Sequence, residues 1–195
     1  EPIAAPGRSK KSPIKSGLMG FEQGRFSGLC GVYAIINALA LLFPRRIDDE
    51  IGEGLFAAVL EAYPGAVRDL IIEGCERPEM GPMTDGALAW TRAKGWPAWH
   101  YEAAHPVPGE TADAFWTRMR AQLVGGRAAV IVGFDEDDRP GSRYEPHWTC
   151  VEEVGRRTIY LKDSSIYRRV LRSETGLRPE PRWAIEDAFV LRRLA

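Results

Sequence analysis

The stretch Gln23-Gly-Arg-Phe-Ser-Gly-Leu-Cys30-Gly-Val-Tyr-Ala-Ile-Ile-Asn37-Ala-Leu39 decides the fold. Its first part, Gln23 to Leu29, is short, polar and glycine-bearing, and reads as a loop. From Gly31 onward apolar side chains fall at Val32, Ile35, Ile36, Leu39, Leu42 and Phe43, a helical spacing long enough for a buried helix. Pro44 closes it. Cys30 therefore stands where a loop enters a helix. The first turn of a helix carries unpaired N–H groups and a partial positive charge. Both favour a thiolate over a thiol. The Cys30 N–H and the Gln23 side-chain amide are then candidate donors to an oxyanion. Taken alone, a cysteine at such a place is more commonly a small buried residue that starts a core helix.

Composition narrows the classes. A chain of 195 residues with 45% hydrophobic content suits one domain with a real core. Net charge is -1, so nothing in the totals points to nucleic acid or to a membrane surface. No apolar run approaches the length of a membrane span. No stretch has the pattern of a signal peptide, and the chain begins at Glu1 rather than Met, so an upstream segment stays open. The compartment is left between the cytoplasm and delivery as an effector. The three cysteines, Cys30, Cys75 and Cys150, have no short spacing, which argues against a disulfide framework and a zinc site. Cys75 and Cys150 read as buried small residues, Cys30 as a thiol accessible to substrate.

Residues 1–17, with Pro2, Pro6, Pro13 and several Lys and Ser, read as a flexible arm ahead of a single domain over 18–195. After the central helix, Asp48-Asp49-Glu50 opens a second one carrying Ile51, Leu55, Val59 and Leu60. A third short helix is expected over Val67 to Cys75, bracketed by Gly74 and Pro78. Thr84 is expected to cap a fourth, up to Gly95. Trp96 to Ala103 is strand-like, and Thr111 to Val124 is a helix stopped by Gly125-Gly126. The period then changes. Strands are expected at Ala128 to Phe134, His147 to Val154, Thr158 to Lys162, Tyr167 to Leu171 and Ala188 to Leu194, with Asp135 to Arg143 as a charged loop. Helices first and hairpin-linked strands second give an α+β fold with a mostly antiparallel sheet.

Three histidines are present, and His147 opens a strand directly after Glu145-Pro146. Eight steps lead from His147 to Gly155 and eight more to Asp163, so a hairpin turning at Gly155 brings the two together at one sheet edge. Asp163 could then accept the imidazole N–H, fix its tautomer and stabilise its cation. Cys30, His147 and Asp163 make a set of nucleophile, base and orienter. Asn37, the other polar candidate for orienter, lies about 10 Å deeper along the helix. Singly, His147 also reads as a half-exposed strand residue and Asp163 as a turn residue. The acidic run Asp135 to Asp138 lacks the spacing of a calcium loop.

With Gln23, Cys30-Gly31, His147-Trp148 and Lys162-Asp163-Ser164 in this order, the chain resembles the papain-like cysteine peptidases. Within that superfamily it is most similar to the peptidases that process double-glycine leaders (the C39-like branch) and their soluble relatives, which share a helix like Thr84 to Leu88. The resemblance covers roughly Phe21 to Ser165. It implies a papain-like fold, Cys30 as nucleophile, His147 as general base and acid, Asp163 as orienter and Gln23 as oxyanion donor. It implies a protein or peptide substrate and no metal or organic cofactor. A glutamine deamidase or transglutaminase uses the same machinery, and a non-catalytic binding module on the same fold is the remaining alternative.

Overall fold

The computed structural model describes residues 27–136, 145–162, 168–177 and 183–194. A single 3-10 turn, Ser27–Leu29, leads into helix α1, Cys30–Leu42. Helices α2 (Asp49–Glu61), α3 (Val67–Glu73) and α4 (Arg77–Ala93) follow, then strand β1 (Trp99–Ala103) and helix α5 (Ala112–Leu123). The strands β2 (Ala128–Glu136), β3 (Glu145–Val154), β4 (Thr158–Lys162), β5 (Arg169–Leu171), β6 (Thr175–Gly176) and β7 (Trp183–Arg193) complete the order. The fold is α+β. Its sheet runs β1-β7-β2-β3-β4-β5 with every neighbour antiparallel, and β6 pairs parallel to β7.

The local chemistry accounts for most of these elements. Asp48 caps α2, its carboxylate accepting the Ile51 N–H at 2.9 Å, and Thr111 caps α5 through Ala114 at 3.2 Å. Helix α1 is buried nearly all round, at Val32, Ala34, Ile35, Ile36, Asn37, Ala38, Leu39 and Ala40 among others. A helix apolar on every side belongs between layers. Here one side meets Ala129, Ile131, Trp148, Cys150, Phe189 and Leu191 of the sheet, and the other meets α2, α3 and α4. The opposite sheet face, with Val130, Val132, Phe134, Val151 and Leu161, packs on Phe115, Trp116 and Met119 of α5. β2 and β3 alternate between these two cores, as a strand covered on both faces must.

Several expectations shift, among them the start of β3, which is Glu145 rather than His147. Helix α4 starts at Arg77, so Thr84 is not its cap but an interior residue whose hydroxyl donates to the Met80 carbonyl at 2.7 Å. The true start is a reciprocal pair, Glu76 with Glu79, and Pro78 sits in the first turn, where a missing N–H costs nothing. Pro78 thus begins α4 rather than ending α3. β1 is shorter than expected and starts at Trp99. β2 continues to Glu136, so Asp135 is not yet loop. β7 begins at Trp183, five residues before the expected Ala188, and the tail residues 1–17 lie outside the described residues.

Candidate active site

Cys30 is the first residue of α1, at the helix start where the sequence places it. Close packing fixes that end. A methyl group on Gly28 would stand 2.1 Å from the Leu70 carbonyl oxygen, so the 3-10 turn lies directly on the end of α3. A methyl on Gly31 would stand 2.3 Å from Cys75 Sγ. Both glycines let the entry to the helix come closer to its neighbours than any side chain allows. The Cys30 side is equally tight: the residue is 2% exposed, which corrects the expectation of an open thiol. Cys75 and Cys150 are buried as expected, and all three cysteines are free. Burial pushes the Cys75 thiol well above its ordinary value, with the nearby Cys30 sulfur adding to the shift.

The Trp148 backbone N–H donates to Cys30 Sγ at 3.4 Å. A strand's N–H groups lie in the plane of its sheet, so the sulfur sits beside β3 rather than over either face. β3 pairs with β2 on one side, and Trp148 presents its peptide group to the other, as Cys150 does to β4 two residues further on. His147 is bonded to Trp148, so its Cα lies within about 6 Å of the sulfur. His147 is half-buried and pairs with Phe134 across the ladder. Trp148 is fixed from its other end, its indole N–H donating to the Cys75 carbonyl at 2.8 Å. One tryptophan therefore ties the start of α1, the segment between α3 and α4, and the start of β3 together.

The hairpin register differs from the symmetric count. The Gly155 N–H meets the Thr158 carbonyl at 2.8 Å, which centres the turn on Arg156-Arg157 rather than on Gly155. A bulge between Val151 and Glu153 absorbs a further residue of β3. Lys162 consequently faces Cys150, where the count would set it against Trp148. The shift is two residues, an even number, and so leaves each residue on the face the count gave it. Asp163 and Gln23 themselves lie outside the described residues. Asn37 is fully buried in α1, seven positions beyond Cys30.

A second histidine–carboxylate pair escaped the sequence. His105 Nδ1 stands 3.1 Å from Asp187, which also pairs with Arg77 at 3.2 Å, and the Ala188 N–H donates to the same Nδ1 at 3.2 Å. Burial lowers the His105 pKa below its ordinary value, the Asp187 charge opposes this, and Arg77 reinforces it. The pair joins residues 82 positions apart, and no local spacing signals it. Its ring packs on Phe189 at 5.5 Å, which packs on Trp148 at 5.9 Å. Beside α1, Tyr33, Ile36, Phe56, Asp49 and Glu53 line a cavity of 370 Å³ that opens one helical turn from Cys30. Among the described residues no three His, Cys, Asp or Glu side chains gather as a metal site, and no helix is long and apolar enough to cross a membrane. The chain matches no family model and no curated protein.

Proposed function

We propose that the chain is a thiol-dependent amide hydrolase of the papain-like kind, a cysteine peptidase acting on protein or peptide. The observation that carries the reading is the Trp148 N–H bond to Cys30 Sγ, because it sets the backbone of a histidine beside a sulfur at a helix start. His147 takes the thiol proton, and the thiolate attacks the substrate carbonyl. The oxyanion accepts hydrogen bonds from the Cys30 N–H and the Gln23 side-chain amide. His147 returns its proton to the leaving amine, and water then opens the thioester. Asp163 holds the imidazole in the required tautomer. The helix N-terminus adds a favourable field for the sulfur anion.

The test is incubation of the protein with a complex peptide mixture, read by mass spectrometry for new termini. Wild type should produce them and Cys30→Ala should not. Asp163→Ala should lower turnover by orders of magnitude, whereas the fully buried Asn37, changed to Ala, should act on stability. Equal product from wild type and Cys30→Ala defeats the reading. A gain of about one dalton on intact chains marks deamidation instead.

A further inference from the structure

A second cavity, of 810 Å³, lies at the far end of β3 from His147. It is walled by the tip of the β3–β4 hairpin, the first turn of α5 and the residues after β5. Eight residues of strand, about 27 Å, separate His147 from Gly155 at that tip. The cavity is therefore separate from the candidate active site, and a ligand bound there is independent of the hydrolase reading.

Its lining is strongly basic. Among the described residues that line it, Arg156, Arg157 and Arg172 contribute three guanidinium groups, against one carboxylate, Asp113. Arg172 is built into the wall, with its side chain 13% exposed. Its guanidinium donates to the Asp113 carbonyl at 3.0 Å, to the Asp113 carboxylate at 2.5 Å and to the Gly155 carbonyl at 3.4 Å. Asp113 thus offsets Arg172. Arg156 and Arg157 are exposed and have no ion-pair partner among the described residues, which leaves two positive charges uncompensated. The 12-residue helix α5 points its N-terminus at the same space. Thr111 satisfies the Ala114 N–H, but the N–H groups of Ala112 and Asp113 in the first turn have no acceptor within the helix. Ser173 adds a hydroxyl and Leu171, 45% exposed, an apolar wall.

We propose that this cavity binds the phosphate group of a small soluble phosphomonoester. Two uncompensated guanidinium groups and a helix N-terminus call for a dianion with several acceptor oxygens. A carboxylate is satisfied by one guanidinium fork and leaves the other charge unmatched. The space exceeds that of a bare phosphate, and Leu171 offers the remainder of the ligand an apolar surface.

Phenyl phosphate is the probe, titrated calorimetrically into the full chain, with benzoate as the carboxylate of similar shape. Wild type should bind phenyl phosphate saturably and more tightly than benzoate. Arg156→Gln combined with Arg157→Gln should weaken it at least about tenfold, since both charge-assisted donors to the phosphate oxygens are lost. Both arginines are exposed, so the double variant keeps its fold. Cys30→Ala should bind as wild type does. No saturable binding at millimolar ligand, equal binding by the double variant, or equal affinity for benzoate overturns the proposal. Binding of a phosphoserine peptide without binding of phenyl phosphate also overturns it, in favour of a phosphoprotein partner.

Discussion

Replacing Gly31 by Ala adds one methyl group where α1 meets the segment between α3 and α4. The new carbon would stand 2.3 Å from Cys75 Sγ and 2.9 Å from Met80 Sδ. Relaxed non-bonded contacts lie near 3.5–4.0 Å, roughly an ångström or more further out. Met80 can swing its flexible side chain away. Cys75 is short and 3% exposed, and its sulfur already contacts Met80 Sδ at 3.7 Å. Overpacking of a filled core costs about 1–3 kcal/mol, and an overlap this deep belongs at the upper end. Ala gains up to about 1 kcal/mol over Gly in a helix. The expected net loss is about 2 kcal/mol. Cys75→Ala removes the obstructing sulfur, so the double variant should be more stable than the sum of the single losses by about 1–2 kcal/mol. Urea unfolding of the four proteins at pH 7 measures this directly. Additive losses, or a Gly31→Ala variant as stable as wild type, would refute the packing argument.

Glu110 accepts two hydrogen bonds from Arg118, at 2.9 and 2.8 Å, and one from the Val107 N–H at 3.2 Å. The Arg118 bonds hold its carboxyl below the ordinary value. A carboxyl lowered in the folded state adds stability above its unfolded pKa, about 4.3, and loses it as pH falls through the folded pKa. Glu110→Gln should therefore lose about 1.5–3 kcal/mol at pH 7, with the gap to wild type closing as acid titrates the carboxylate. A gap independent of pH in urea titrations contradicts this. Trp148→Phe removes the donor to the buried Cys75 carbonyl and should cost about 1–3 kcal/mol in the same assay, and a loss under about 0.5 kcal/mol would show that the bond contributes little.

What was legible in the sequence was local. The apolar period of α1, the acidic first turn of α2, the span of α5 and the continuous apolar run of β2 each depend on a few adjacent residues, and each lies where expected. Pro78 misled because its position relative to a helix mattered: it suggested the end of α3, yet it stands in the first turn of α4. The start of β7 was hidden because Glu186-Asp187 interrupts its apolar alternation where the pairing with β2 shifts, between Gly133 and Phe134. Bulges also moved the β3–β4 register, and no single-strand pattern announces a bulge. Cys30 at a helix start followed from the local pattern, whereas His147, expected to open its strand, is the third residue of β3. The burial of Cys30, and the His105–Asp187 pair, come from tertiary packing between distant segments.

The central claim is that Cys30 is an activated nucleophile served by His147. It is tested most directly by alkylating the folded protein with iodoacetamide at pH 7 and following each cysteine by mass spectrometry, with His147→Ala alongside. The account predicts that Cys30 reacts in the folded chain despite being 2% exposed, while Cys75 and Cys150 react only after denaturation. It predicts at least about a tenfold slower reaction of Cys30 in His147→Ala, the loss of its base. Protection of Cys30 equal to that of the other two cysteines, or a rate indifferent to His147, would contradict it.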